Sequence, residues 1–405
     1  MTDPSHWLPL TEESILSAHS LIQPYIQRTP LLTSESLNRI ASAPQKEEAL
    51  VGTEFEGQQP ANPKMSFFLK CENFQRTRAF KVRGAFHAML RLIQTKGIDE
   101  VRRSGVITHS AGNHALALAL AARTFDIPSY IVMPSISTPF KIEATKSYGA
   151  TVIFSGPTSQ EREAVAKRVI DETGAIFVSS ANHPDIILGQ GTVGLELEQQ
   201  VRELVSANPG SSLHVTTGEK DPDSIKQGSS RTGNLDAVIT PIGCGGLNSG
   251  VATLFASRPQ TFIFGAEPSF EGGDDCRRGL AAGHRIMVVR TLTIAEGLRQ
   301  PVGEIPWTII SDDHKVRGVY AVSEEQIKSG MKLVLEQVGM LVEPSAVVGL
   351  AVALYNEEFR RMVEREAPDG WDIGIVFSGG NTTPEAILKL YEDEGGSVGR
   401  ENGLN

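Results

Sequence analysis

The sequence predicts an α/β protein built from parallel sheets flanked by helices. Two observations carry that expectation. Short apolar runs alternate with amphipathic stretches, the signature of repeated βαβ units. Three glycine-bearing loops also follow apolar runs and precede helices, the place where open parallel sheets bind ligands. A length of 405 residues suits one large enzyme with two lobes, or two to three domains.

In chain order, Glu12 to Leu21 reads as a helix and Thr29-Pro30-Leu31-Leu32 as an extended segment. Residues 41–63 are polar and contain Gly and Pro, and read as an exposed insertion. Ser66 to Lys70 reads as a strand. Further strands are expected at Gly105–Thr108, Ser129–Met133, Thr151–Phe154 and Ala175–Val178, separated by helices at Ala115–Ala122, Pro139–Tyr148 and Gln160–Glu172. Residues 208–234, rich in Ser, Gly, Thr and Asp, break the alternation and read as a second surface insertion. Strands then resume at Asp236–Ile242, Thr261–Ala266 and Ile373–Phe377. Helices are expected at Leu247–Ala256, Glu324–Val338, Ser345–Arg361 and Pro384–Tyr391, before a frayed tail from Gly395 to Asn405.

Composition narrows the function. A net charge of −10 and a pI near 5.5 argue against a nucleic-acid surface or an anionic membrane. No apolar run reaches membrane-spanning length, and Met1 to Leu10 lacks the pattern of a secretory leader. Cys71, Cys244 and Cys276 have no metal-site spacing and cannot all pair, which points to a reducing, cytoplasmic setting.

The chemistry is expected around Lys81. It follows Phe80 and opens the amphipathic run Ala85 to Leu92, so it sits at a helix start. The positive helix end disfavours an ammonium there, and an amine that sheds its proton readily forms Schiff bases. On local context alone, a solvated surface lysine is the commoner outcome. The three loops change that balance. Thr108-His109-Ser110-Ala111-Gly112-Asn113-His114 precedes a helix whose free amides suit a carboxylate or a phosphate, or it merely caps that helix. Gly243-Cys244-Gly245-Gly246-Leu247 lets backbone amides converge on a monophosphate; no Gly-Lys-Ser/Thr follows, so it is not a nucleotide P-loop. In Phe377-Ser378-Gly379-Gly380-Asn381, Ser378 can face a ring nitrogen without a formal charge. A decoy also exists: Gly189-Gln190-Gly191-Thr192-Val193-Gly194 matches G-x-G-x-x-G behind the apolar Ile186-Ile187-Leu188. No firm strand with the acidic partner follows, so a NAD(P)-dependent dehydrogenase stays a remote alternative.

Together these residues resemble the fold-type II pyridoxal-phosphate enzymes, in particular their serine racemase and serine/threonine dehydratase branch. The resemblance rests on Gln75-Arg76-Thr77 with Phe80-Lys81-Val82-Arg83-Gly84-Ala85, on Ser110–His114, on Gly189-Gln190-Gly191-Thr192 and on Gly243–Leu247. Ala266-Glu267-Pro268, Val342-Glu343-Pro344-Ser345 and Ser378–Asn381 complete it, all in family order. It implies a two-lobed, tryptophan synthase β-like fold. A large cofactor domain would comprise residues 1–94 and 184–405, and a small substrate-closing domain residues 95–183. Lys81 would hold the pyridoxal 5'-phosphate as a Schiff base, and Phe80 would pack on its ring. Asn113 would bond the ring hydroxyl, Gly243, Cys244, Gly245, Gly246 and Leu247 would hold the phosphate, Ser378 would face the ring nitrogen, and Glu343 would lie nearby. Ser110, Ala111, Gly112, Asn113 and His114, with Asn182, would take the substrate. Cys244 replaces a glycine of the family's loop, so its thiol is expected to point away from the phosphate as a structural group. Arg78-Ala79 replaces a common Gly-Ser.

The resemblance further implies a small amino-acid substrate, a homodimer and a metal site for Mg²⁺ or Ca²⁺ at Glu267 and Asp275, with Phe270-Glu271-Gly272-Gly273 lengthening the turn between them. A solvated acidic loop is the alternative there. Arg162 aligns with a residue near the substrate in the racemase branch; it either forms a surface pair or turns inward to favour a substrate such as 3-hydroxyaspartate. A serine at the ring nitrogen favours elimination of a β-hydroxyl. Racemisation needs a second proton carrier opposite the lysine, a serine in the racemase branch. Here that position is Ala111, so the expectation is an ammonia-lyase, with a racemase as the alternative and His109 or a water as a substitute carrier. Serine, threonine and 3-hydroxyaspartate are the expected substrates.

Overall fold

The computed structural model describes residues 7–137, 139–207 and 233–392. Its strands are β1 Leu31–Leu32, β2 Met65–Cys71, β3 Val106–His109, β4 Ser129–Pro134, β5 Thr151–Ser155, β6 Ile176–Phe177, β7 Ala237–Pro241, β8 Phe262–Pro268, β9 Gly318–Val322 and β10 Trp371–Phe377. They form two sheets. The larger has the order β1-β2-β10-β7-β8-β9 and the smaller β5-β4-β3-β6. Every pairing is parallel except β1 with β2. The expected α/β architecture is therefore present.

Burial explains why the central strands read as unbroken apolar runs. Every residue of β2 and β10 is buried, because helices cover both faces of the larger sheet. The apolar helix Pro344–Tyr355 covers one face, with Val347, Leu350 and Leu354 in a core shared with Ile239, Phe264 and Ile375. Helices Pro184–Ala207 and Gly246–Phe255 cover the other, around Leu197, Val238 and Val251. The helix Lys81–Lys96 leaves β2 and packs Val82, Phe86 and Met89 with Leu118 and Ile131 of the smaller sheet's layer. One helix thus carries Lys81 from one sheet towards the other.

Several expectations change. Ile186–Leu188 is no strand; with the G-x-G-x-x-G run it lies inside the 24-residue helix Pro184–Ala207. The single helix expected over Ser345–Arg361 divides at Asn356, whose side chain accepts from Phe359 N (3.0 Å) and starts a new helix, Glu357–Glu366. Strand β9 and the short helices Glu35–Ala41, Ile98–Ser104, Asp275–Ala282 and Glu304–Ile310 are additional. The 41–63 segment is mostly exposed with one 3₁₀ turn, Glu47–Leu50, and is anchored where Ala61 N donates to Glu357 (2.8 Å). Residues 208–232 of the second insertion and the whole expected tail lie outside the described residues. Among the described residues, no helix is long and apolar enough to cross a membrane.

Candidate active site

Loops leaving the carboxyl ends of β2, β7 and β10 in the larger sheet meet those leaving β3 and β6 in the smaller one: Lys81 reaches Ser180, Asn381 reaches Asn113, and Gly246 lies against Ala181. The approach to Lys81 is a strained turn: Thr77 and Arg78 both take left-handed conformations, with φ of 58° and 55°. The loop after β10 holds that turn. Ala79 bridges to Gly379, Phe80 N donates to Ser378 O (3.1 Å) and Gly380 N to Arg78 O (2.8 Å). Lys81 then opens its helix. Its Nζ donates to Ser180 O at 2.8 Å and lies 5.1 Å from the centre of the Phe80 ring. Burial holds the amine below its ordinary pKa, opposed by the electrostatic influence of Cys244 and Glu343.

The glycine loop after β7 has the build of an anion cradle. Gly245 has φ +86° and caps the helix Gly246–Phe255, presenting that helix's unpaired amides to the loop. Side chains are excluded around it. A Cβ on Gly243 would stand 2.9 Å from Gly297 O, one on Gly245 2.8 Å from Pro306, and one on Gly246 3.2 Å from Ala181. Cys244 is not remote from the chemistry. Its thiol hydrogen-bonds the Ser180 side chain within electrostatic reach of Lys81, and burial pushes its pKa up, so it stays a thiol. Its carbonyl accepts from Gly303 N (3.1 Å). Leu247 is buried behind the loop.

From the smaller sheet comes Ser110 to His114. Ser110 Oγ accepts from Gly112 N (3.3 Å), so part of its capacity caps the loop. Ala111, Gly112 and Asn113 line a small cavity together with Lys141 and Asn381. Asn113 Nδ2 donates to Glu343 Oε1 at 2.8 Å. Burial pushes the Glu343 carboxyl up to about 7 against that bond. His114 is buried and pushed down to about 3, first by burial and then by Lys81, so it is neutral. Ser378 is buried at the end of β10. His109 stacks on Phe177, with ring centres 5.2 Å apart.

Asn182 is exposed, and its Oδ1 accepts from Ile305 N (2.9 Å), tying the loop after β6 to the larger sheet's side. Arg162 donates to Pro157 O (3.1 Å) and lies within electrostatic reach of His109.

Glu267 and Asp275 are buried neighbours. Glu267 accepts from Cys276 N (3.0 Å) and Arg277 N (2.9 Å), and Asp275 accepts from Val302 N (3.2 Å). Both carboxyls are raised, first by burial: Glu267 well above its ordinary value, with Asp275 adding to the shift, and Asp275 to about 6. The two carboxyls are thus withdrawn from solvent, while Ser269, Phe270 and Glu271 of the turn between them are exposed. Among the described residues, no cluster of three or more His, Cys, Asp or Glu forms a metal cage.

The G-x-G-x-x-G run has a packing role. A Cβ on Gly189 would lie 2.7 Å from Gly84 Cα, and one on Gly191 2.8 Å from Gly250 O. These glycines let three helices touch at backbone distance, which removes the basis for a dinucleotide site there. Three contributors escaped sequence reading. Ser180 acts through its carbonyl, which no residue type signals. Asn381 bonds Asn113, although only its loop had stood out. Lys141, which lines the cavity, pairs with Glu296, 155 residues away in sequence.

Comparison with known proteins agrees with this geometry. The pattern of the family described as "Pyridoxal-phosphate dependent enzyme" matches residues 54–379. Serine racemase of Arabidopsis thaliana is 38% identical over 369 residues, 91% of this chain and 92% of that protein. Beta-hydroxyaspartate dehydratase of Paracoccus denitrificans is 34% identical over 373 residues, 92% of this chain and 96% of that protein. Among solved structures, maize serine racemase superposes with a TM-score of 0.74 at 35% identity, covering 95% of this chain and 97% of its own. The chain belongs to the pyridoxal-phosphate-dependent enzymes of fold type II.

Proposed function

We propose that this protein is a pyridoxal-phosphate-dependent ammonia-lyase that removes water from a β-hydroxy amino acid, giving a 2-oxo acid and ammonia. Serine, threonine and 3-hydroxyaspartate are the candidate substrates. The observation that carries the reading is Ala111, which lines the cavity beside Gly112 and Asn113 with a methyl group that holds no transferable proton. The residues present fit the cofactor. Lys81 supplies a buried amine, and Gly243–Leu247 a cradle that excludes side chains at the start of a ten-residue helix. Asn113, Ser378 and Phe80 would contact the ring. When bound, pyridoxal phosphate supplies the electron sink for the charge left on the substrate's α-carbon.

The protein's own part follows from its groups. Ser110 to His114 orient the substrate carboxylate, using backbone amides at the start of Asn113–Thr124. Lys81 Nζ, steered by Ser180 O and held below its ordinary pKa by burial, takes the α-proton. Ser378 would face the ring nitrogen of the bound cofactor and offer it no carboxylate, which would favour loss of the β-hydroxyl; the proton taken up by Lys81 Nζ is then available to leave with that hydroxyl as water. The carboxyls of Glu267 and Asp275 suit a hard divalent cation, Mg²⁺ or Ca²⁺, whose charge would relieve their mutual repulsion. A small amino acid and a second copy of the chain are the partners this reading implies, and the cytoplasm its place.

A serine racemase is the second reading, favoured by the likeness to serine racemases. The test is direct. Protein purified with the cofactor should be yellow, and borohydride should fix the colour to the wild type but not to Lys81→Ala. Incubation with each candidate substrate should release 2-oxo acid. A colourless protein, or one that yields mainly D-isomer, would overturn the proposal.

A further inference from the structure

Asn113 stands in a chain of side-chain amides whose donor count can be closed. Asn381 Nδ2 carries two hydrogens. One goes to Thr77 O and the other to Asn113 Oδ1, each at 2.8 Å. Asn113 Nδ2 also carries two hydrogens, and one goes to Glu343 Oε1 at 2.8 Å. Among the described residues, no hydrogen-bond partner takes the other. An amide is nearly symmetric in shape, so its orientation is decided by its partners. Flipping Asn113 would set its NH₂ against the NH₂ of Asn381 at any pH, and its oxygen against the Glu343 carboxylate once that group is ionised.

Glu343 is itself fixed. Its N–H donates to Gly379 O (3.1 Å), its carboxyl accepts the backbone N–H of Asn381, and only a glycine fits at 379, where a Cβ would lie 2.6 Å from Oε1. The chain ends at Thr77, in the left-handed turn that delivers Lys81.

We propose that Asn381 and Glu343 are positioning residues that lock the Asn113 amide in one orientation, leaving one N–H for the hydroxyl oxygen on the ring of bound pyridoxal phosphate. The inference rests on the proposed cofactor site and goes beyond it. Neither residue need touch the cofactor. They decide whether Asn113 meets that oxygen as a donor or as an acceptor. A donor stabilises the ionised ring oxygen, so the lock sets both affinity for the cofactor and its colour.

The experiment titrates cofactor-free protein with pyridoxal phosphate, following protein fluorescence for Kd and the visible spectrum for the form bound. Asn381→Asp faces Asn113 Oδ1 with a carboxylate. Its Kd should rise about tenfold, the loss expected for one misdirected charge-assisted hydrogen bond, and the visible band should shift in position or split. Glu343→Leu should behave likewise. Glu343→Gln retains an accepting oxygen, so it should stay within about threefold of wild type. This conservative variant also keeps the test decisive if Glu343→Leu fails to fold, because the proposal then requires Glu343→Gln and Asn381→Asp to differ.

Wild-type Kd and spectrum in Asn381→Asp would overturn the inference, even if its melting temperature fell, because a merely structural role moves stability and not colour. Wild-type protein that takes up no cofactor would instead defeat the proposed function, a separate and visible failure.

Discussion

At the scale of single residues, Lys81 and Ala111 define the account. Lys81 is an amine that burial pushes towards its neutral, reactive form, with Ser180 O directing it. Ala111, on the proposed reading, stands where a racemase would need a second proton carrier, and its methyl group supplies none. Restoring one tests its weight: in Ala111→Ser, the ratio of D-isomer to 2-oxo acid formed from L-serine should rise at least about tenfold, the low end of what one positioned acid–base group contributes. Chiral chromatography of the products measures it, and an unchanged ratio would show that Ala111 does not decide the outcome.

Glu343 offers a second test. Its carboxyl titrates near 7 when folded and near 4.5 when unfolded, so the folded state holds the extra proton between those values. Its stabilising contribution is complete below about 4.5 and is lost as pH rises through about 7. The groups facing it are Lys141 and Glu296, with Lys81 beyond and the neutral amides of Asn113 and Asn381 in contact. Glu267 and Asp275 titrate in the same sense, so the wild-type profile alone is not diagnostic. The melting temperature of cofactor-free protein should fall less between pH 5 and 7.5 in Glu343→Gln than in wild type. Parallel profiles would contradict the assignment.

At the scale of elements, the Lys81 helix is held by buried charge. Arg83, fully buried, bonds Glu72 through Nε and Nη2 (both 2.8 Å) and Glu196 through Nη1 and Nη2 (2.9 and 2.7 Å). Lys70 joins Glu196 at 2.7 Å. Removing one partner strands the others without water. Arg83→Met should therefore cost about 3–5 kcal/mol in urea denaturation, far above a surface substitution. A loss below about 1 kcal/mol would place the network among pairs of no consequence.

The acidic pair is an element-scale matter as well. Asp275 holds Val302 N, and the next residue, Gly303, holds Cys244 O of the glycine loop. Adding Mg²⁺ or Ca²⁺ to chelator-treated protein should raise the melting temperature in a saturable way, worth about 2.7 kcal/mol at a hundredfold excess over Kd. Glu267→Gln should abolish the rise. No shift with either cation would leave Glu267 and Asp275 as a proton-holding pair.

At the scale of the whole molecule, most of the larger sheet and all of the smaller one were legible in the sequence, because their strands are short apolar runs bounded by turns, whether fully buried as β2 and β10 or partly exposed as β5. The misses have physical causes. Strand β9 is a half-buried edge strand and gives a weak pattern. The helix Pro184–Ala207 was hidden by Gly189, Gly191 and Gly194, which read as a loop motif until their close approaches to Gly84, Gly250 and Leu254 are seen. The loops that meet at Lys81 were readable because their residue types announce chemistry. Ser180 was not, since a backbone carbonyl has no signature, and the Lys141–Glu296 pair joins segments 155 residues apart.

The central claim is that one face of the site carries a proton-transferring lysine and the other an alanine. Products formed from L-serine and from 3-hydroxyaspartate by the wild-type protein loaded with pyridoxal phosphate test it most directly, followed by proton NMR in D₂O. The account predicts 2-oxo acid and ammonia as the main products of at least one of these substrates, with little deuterated D-isomer in the remaining amino acid. Accumulation of D-isomer faster than 2-oxo acid would contradict it.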